Sequence, residues 1–242
     1  MALIKEKFTE MLHFVFPDNC FEELLINYDI FHPVCTKMVL SRVLGLAITA
    51  GSVALFIPQI LKIAASKSGK GISFLAQLLT LIGAAGTAAY SFDQGFVFSQ
   101  WGDALFSSIQ LVIICMQLLY YEGQSLLAVL FALLWGGFTW AVYQHMVPST
   151  VLAGILSAGT IIVIVAKGLQ IHQNCSQGST GQLAFITVFL QFAGCLARVF
   201  TTMQETTDTQ LIFQFALATF LNGIIFAQLL VYWNSDIAKK RR

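Results

Sequence analysis

Long intervals without a charged residue constrain this sequence more than any other feature. A transmembrane helix needs about 20 apolar residues, because the hydrocarbon core is ~30 Å thick and each helical residue rises ~1.5 Å. Seven stretches meet this requirement, at roughly 40–63, 72–92, 101–121, 125–145, 149–170, 181–203 and 209–233. Only 10% of the residues are charged, which is hard to reconcile with the ~25% of a soluble domain. The sequence therefore predicts an all-α polytopic membrane protein with seven transmembrane helices.

The charges outside these stretches predict the orientation of the chain. Lys62, Lys67 and Lys70 lie at the end of the first span and in the loop after it. Lys167 lies near the end of the fifth span as an ordinary basic anchor, and the tail 234–242 ends in four basic residues. Because basic residues favour the cytosolic side, the C-terminus is predicted to be cytosolic. Seven spans then place the N-terminal segment 1–37, with a short helix lying on the membrane surface, in the lumen or outside the cell.

The C-terminal tail contains a pattern that predicts a compartment. Lys239 and Lys240 stand at the fourth and third positions from the C-terminus. This placement resembles a dilysine signal for retrieval to the endoplasmic reticulum, which is read only from the cytosol. A stop-transfer cluster that binds anionic lipid is the simpler alternative.

The cysteines and the remaining motifs narrow the classes of function. Cys20 and Cys35 share the predicted lumenal segment, where an oxidising environment permits a disulfide but does not require one. No cysteine has metal-ligand spacing with the histidines, so neither a metal site nor a cofactor is expected. The sequence has no phosphate-binding loop and no hydrolase elbow, so we do not expect an enzyme. A net charge of +1 gives no basic field for nucleic acid.

An internal repeat organises the seven spans. From Gln59 to Gln110 is 51 residues, and from Gln170 to Asn222 is 52. Residues 38–121 therefore form a first three-helix repeat, 125–145 a linker helix, and 149–233 a second repeat. Three helices cannot return to the starting side, so a single linker helix makes the two repeats parallel. Transporters with repeats hold their substrate near the midplane between the halves.

Several ordered motifs then suggest a family. Pro58 and Gln59 end the first span, a short polar loop follows, and the chain carries the strings LGL at 44–46, WGDALF at 101–106, TGQL at 180–183, LAR at 196–198, QET at 204–206 and YWN at 232–234. Together with the Cys20 and Cys35 head, this set resembles the PQ-loop superfamily, which includes the SWEET sugar exporters, lysosomal amino-acid exporters and the KDEL receptors. Within the superfamily, the sequence resembles the mannose-P-dolichol utilization defect family.

The resemblance implies a SWEET-like fold, an endoplasmic reticulum membrane location and a role in glycosylation. That family is needed for lumenal use of dolichol-phosphate mannose and dolichol-phosphate glucose, which feed N-glycan, GPI-anchor and protein mannosylation pathways. Lumenal glycosyltransferases are potential partners. The second motif departs from the pattern, because it reads Leu169 and Gln170 instead of Pro and Gln. In transporters of the superfamily the paired prolines, here Pro58 and its missing counterpart, are thought to act as hinges.

Polar residues inside the spans are candidates for a binding site, because such groups tend to face the interior of a bundle. Asp103, Ser107, Gln110 and Gln117 share one face of span 3, and Gln191 and Arg198 share one face of span 6. The candidate site residues are Gln59, Gln110, Gln170, Asn222, Asp103, Gln191 and Arg198.

Each candidate also has a structural interpretation. The amides can hydrogen-bond to neighbouring helices. Arg198 can pair with Glu205 or Asp208, or it can contact a phosphate, whose geometry matches a guanidinium.

Three functions remain open from the sequence. A lipid-linked sugar needs shelter only for its head group, since its tail can stay in the bilayer. The first hypothesis is therefore that the protein binds or flips dolichol-phosphate sugars. The second is a transporter of small solutes, such as sugars or amino acids. The third is an adaptor that organises glycosyltransferases without transporting anything, through span 4 or the N-terminal segment.

Overall fold

Eight α-helices make up most of the described chain. The computed structural model describes residues 15–17, 20–70, 72–180 and 185–233, with the backbone alone at 186 and 187. The predicted tail, with Lys239 and Lys240, and the first 14 residues lie outside the described residues. The helices are α1 (Cys35–Ser52), α2 (Ile57–Ser66), α3 (Phe74–Asp93), α4 (Gly102–Tyr121), α5 (Ser125–Tyr143), α6 (Ser149–Gln177), α7 (Phe185–Glu205) and α8 (Thr209–Val231).

The helices confirm the predicted membrane fold. Among the described residues, six helical segments are long and apolar enough to cross a membrane, with α1 and α2 counted as one segment. The remaining predicted span, the sixth at 181–203, corresponds to α7, which has 21 residues and packs against α1 and α8.

The first span differs from its predicted form. It is not one helix over 40–63, because α1 ends at Ser52 and α2 begins at Ile57. Pro58 lies in the first turn of α2, where its missing N–H costs no intrahelical hydrogen bond. The break leaves the backbone of residues 53–56 outside any helix, inside a span where unpaired backbone groups are costly.

The corresponding helix of the second repeat is continuous and longer than predicted. The sequence predicts its end at residue 170, whereas α6 runs through Leu169 and Gln170 to Gln177. No proline interrupts it. The helix stops at Gly178, whose φ of 55° is the left-handed conformation that glycine adopts at helix ends.

The helix contacts show two repeats of one design. In the first repeat α4 packs against α1, α2 and α3, and in the second α8 packs against α6 and α7. The repeats meet where α1 contacts α7 and where α3 contacts α6. Exchanging the repeats converts one of these contacts into the other, as expected for parallel repeats related by an approximate two-fold axis. The helices α1, α4, α3, α6, α8 and α7 thus form a closed ring, whose inside we call the interior.

The linker helix α5 lies outside this ring. It packs against α4, and most of its apolar side chains, including Leu126 and Leu134, are exposed. In a membrane these side chains face lipid.

The bundle has two ends of opposite charge. Asp93, Asp103, Glu205 and Asp208 lie at what we call the acidic end, and Lys62, Lys67 and Lys70 at the basic end. Between the ends, α3 and α6 cross at a glycine pair. A Cβ on Gly159 would lie 2.9 Å from the Cα of Gly83, so any side chain there would push the two helices apart.

The N-terminal segment is tied to the start of α1. Cys20 and Cys35 form a disulfide. Within residues 20–34, a π-helical turn covers Glu22–Ile26, and the two residues before it, 20 and 21, are also helical. Tyr28 and Phe31 follow it and are largely exposed.

Candidate functional site

An ion pair across the interior holds the repeats together at the acidic end. Arg198 of α7 lies 2.6 Å from the carboxylate of Asp103 in α4, and it donates to the carbonyl oxygen of Ser99 at 2.7 Å. Only 3% of Arg198 is exposed. Two predicted site residues are therefore partners, and the guanidinium is neutralised within the protein.

The two carboxylates predicted as partners of Arg198 have other contacts. Glu205 pairs with Arg42 of α1 at 3.4 Å. Asp208 caps the N-terminus of α8 and accepts a hydrogen bond from the hydroxyl of Tyr90 at 2.7 Å. The Glu205–Arg42 and Asp208–Tyr90 contacts again join the first repeat to the second. Arg198 therefore forms an ion pair, as one alternative predicted, but its partner is Asp103.

The ion pair has a neutral counterpart on the other side of the interior. Gln214 of α8 donates to the hydroxyl of Thr87 in α3 at 3.0 Å. Thr87 precedes Arg198 by 111 positions, and Asp103 precedes Gln214 by the same number. The two contacts are thus equivalent in the repeats, but only one of them is charged.

Gln110 fills the break in the first span. Its side chain accepts from the N–H of Phe56 at 2.8 Å and donates to the carbonyls of Ser52 at 2.8 Å and Phe106 at 2.9 Å. The amide thereby pairs the N–H of Phe56, which the broken helix leaves free, and gives the carbonyl of Ser52 a second donor beside the N–H of Leu55. This is the structural interpretation of Gln110.

Asn222 makes different contacts from its predicted counterpart. It donates to Ala218 in its own helix at 2.9 Å and approaches the sulfur of Cys195 at 3.4 Å. Because α6 is continuous, it offers no broken backbone to pair. The two amides therefore do not share a role in the structure.

A repeated amide contact does exist, one that the sequence analysis missed. Gln117 of α4 donates to the carbonyl of Ile60 at 3.3 Å, and Gln228 of α8 donates to that of Ile171 at 3.0 Å. Both glutamines and both isoleucines are 111 positions apart. A search of the sequence for identical residues separated by one constant number of positions would have found both pairs. Ile60 and Ile171 directly follow the motif glutamines, Gln59 and Gln170. The side chains of both motif glutamines are partly buried.

A polar cluster lies in the second repeat on the side of the basic end. Lys167 of α6 donates to the side-chain oxygen of Gln191 in α7 at 3.2 Å. Cys195, one helical turn beyond Gln191, contacts Asn222 of α8. We call Lys167, Gln191, Cys195 and Asn222 the lysine cluster.

The lysine cluster faces the interior. Gln191 is seven residues from Arg198, and Lys167 is eleven from Leu156, so each shares a helix face with a residue that points toward the first repeat. Arg198 reaches Asp103, and Leu156 belongs to an apolar cluster with Ala89 of α3.

The interior is closed at the acidic end. The polar contacts between the repeats that the structure describes all lie in the acidic half, and so does the apolar cluster that α3 shares with α6. At the basic end, the described apolar clusters each stay within one repeat. The main helix contact of α2 is with α4 of its own repeat.

A separate cavity of about 290 Å³ lies between α3, α4 and α5. Its wall is mostly apolar and includes the aromatic side chains of Phe92, Trp101 and Trp135. The predicted amides of the interior are not part of this wall, so the lysine cluster is the better candidate for binding a polar ligand.

A comparison with solved structures agrees with this architecture. The fold is similar to that of a eukaryotic SWEET transporter solved at 3.7 Å resolution, with a TM-score of 0.65. The match covers 82% of this chain and 99% of the transporter at 13% sequence identity, so it supports the fold alone.

A comparison with protein families gives the assignment. Residues 40–100 and 152–211 each match the PQ loop repeat. The two matches begin and end at equivalent places in the two repeats, and together they make up half of the chain. This multi-pass membrane protein therefore belongs to the PQ-loop repeat family.

Proposed function

We propose that this protein belongs to the mannose-P-dolichol utilization defect family and handles the head group of dolichol-phosphate mannose and dolichol-phosphate glucose in the endoplasmic reticulum membrane. In this proposal the acidic end faces the lumen and the basic end the cytosol. The protein acts without catalysis, and lumenal glycosyltransferases use the lipids that it delivers.

One observation carries the proposal: the interior is closed at the acidic end, and the lysine cluster lies on the other side of this closure. A sugar-phosphate needs a polar environment inside the membrane, because a bare charge in hydrocarbon is costly. The interior supplies hydrogen-bonding amides and one cation. The prenyl tail can remain in the surrounding lipid.

A liposome experiment tests movement of the lipid. Purified protein is reconstituted with a short-chain dolichol-phosphate mannose analogue, and transbilayer movement is compared with empty liposomes. We expect faster movement with the protein. Folded protein that binds the analogue and does not move it would refute a flipping role.

Transport of a small solute is the second candidate function, favoured by the shared fold with a SWEET transporter. It predicts uptake of free mannose or glucose into the same liposomes. Uptake of free sugar without movement of the lipid analogue would favour this candidate over the first.

A pair of matched variants separates lipid handling from an adaptor role. Gln191→Leu changes the interior, whereas Leu134→Ala changes the exposed surface of α5, where the side chain is 75% exposed. We expect Gln191→Leu to reduce lumenal mannosylation in cells that lack the native protein, and Leu134→Ala to restore it fully. The reverse result would support an adaptor that docks through α5.

A further inference from the structure

Lys167 does not lie at the end of α6. The sequence placed the end of this span three residues after Lys167, but α6 continues for ten residues to Gln177. At ~1.5 Å per residue the lysine is about 15 Å from the end of its helix. Its partner Gln191 lies six residues inside α7. The ammonium group therefore lies between α6 and α7, away from the nearer end of each helix.

No carboxylate of the described spans lies near Lys167 along the membrane normal. Asp93 is the last residue of α3, Asp103 the second of α4 and Glu205 the last of α7, so all three are at the acidic end. The described partner of Lys167 is the neutral amide of Gln191. Intramembrane cations are usually paired, and an unneutralised one marks a ligand or ion pathway.

The repeat shows that the fold itself does not need this charge. The position equivalent to Lys167 in the first repeat, 111 residues earlier, is Phe56. Phe56 lies at the helix break, where its N–H donates a hydrogen bond to the side chain of Gln110. The second repeat has a continuous helix there and carries a lysine instead. The cation is thus an addition to the shared architecture.

We infer that Lys167, with the amides of Gln191 and Asn222, forms an anion subsite that takes the phosphate of a prenyl-linked ligand. The inference rests on the proposed function and names the group that binds the charged part of the head. A compact ammonium attracts phosphate oxygens as a point charge, and the two amides can donate to the remaining oxygens or to the sugar. Arg198, the cation predicted for this role, is already neutralised by Asp103.

Binding of a charged and an uncharged prenyl compound tests the subsite. Full-length protein in phosphatidylcholine nanodiscs is titrated with farnesyl phosphate and with farnesol. We expect at least about tenfold tighter binding of the phosphate, because a hydrogen bond to a charged group is worth that much. Lys167→Met should abolish the difference, and Lys167→Arg should keep most of it. Lys62→Met, at an exposed lysine of α2, is the matched control and should bind like the wild type.

Two further measurements test whether misfolding of the variant explains the result and whether an ordinary phospholipid is the ligand. In the wild-type protein, farnesyl phosphate should slow chemical acetylation of Lys167 and leave that of Lys62 unchanged. An unchanged phosphate preference in Lys167→Met, or no protection of Lys167, overturns the inference. Displacement of farnesyl phosphate by an equal concentration of phosphatidylglycerol overturns the assignment to a prenyl-linked ligand.

The subsite and the proposed function can fail separately. If farnesyl phosphate binds through Lys167 but the liposomes show no transbilayer movement, the flipping role fails and the subsite stands. If movement occurs equally in Lys167→Met, the subsite fails and the flipping role stands.

Discussion

Replacing Gln110 with leucine tests the structural role of the helix break. The substitution keeps the approximate size of the side chain but removes three hydrogen bonds, two of them to the backbone of Phe56 and Ser52. Gln110 is only 6% exposed, so water cannot replace it. The N–H of Phe56 is then unpaired inside the span, whereas the carbonyl of Ser52 keeps its hydrogen bond from the N–H of Leu55 at 3.1 Å.

The expected loss of stability follows from these contacts. Side-chain hydrogen bonds between membrane helices average ~0.6 kcal/mol each, whereas an unpaired buried polar group costs about 1–3 kcal/mol. We therefore expect Gln110→Leu to lower the free energy of unfolding by about 2–4 kcal/mol, since the break can relax only partly. For a protein of this size, this corresponds to a Tm lower by roughly 5–10 °C.

Asn222→Leu is the matched control for this prediction. Asn222 contacts a carbonyl of its own helix and a cysteine sulfur. Replacing it therefore leaves no backbone group of a broken helix without a hydrogen bond. We expect its loss to cost less than about 1 kcal/mol. Thermal unfolding of the two purified variants in the same detergent gives the comparison. Equal Tm values for the two variants would refute the role that we assign to Gln110.

Three further substitutions test other parts of the structure. Asp103→Asn leaves the charge of Arg198 buried without a counter-charge, so we expect a loss of about 3–5 kcal/mol in thermal unfolding; an unchanged Tm would contradict the ion pair. Cys20→Ala opens a disulfide that spans 15 residues and should cost about 3 kcal/mol locally, seen as faster proteolysis before Cys35 with little change in the membrane helices. Gly159→Ala places a Cβ 2.9 Å from the facing glycine of α3 and should lower stability by about 1–3 kcal/mol, whereas a stabilised variant would show that the helices do not cross there.

The membrane fold was predictable because charge and length constrain it strongly. A charged residue is costly in hydrocarbon and about 20 residues are needed to cross it, so the uncharged intervals locate the spans. The break at Pro58 was less predictable. A proline can kink a helix, end it or occupy its first turn, and only the three-dimensional contact with Gln110 shows which applies here.

The polar site was predicted in composition but not in arrangement. Helical spacing correctly placed Asp103 and Arg198 on inward faces, since they meet in the interior. It could not show that they pair with each other. The face of a helix gives the direction of a side chain but does not identify the residue that the side chain contacts. The position of Lys167 well before the end of its helix was missed, because the end of α6 depends on the glycine at 178 and not on hydropathy.

The reactivity of native cysteines tests the central claim most directly. Cys195 lies in the lysine cluster, and Cys175 is exposed near the basic end of α6. In sealed vesicles whose Cys175 is accessible from outside, we predict that a membrane-impermeant thiol reagent also labels Cys195. Farnesyl phosphate should slow labelling of Cys195 and leave that of Cys175 unchanged. A Cys195 that reacts only after the membrane is permeabilised, or equally fast with the phosphate bound, would contradict a head-group site open toward the basic end.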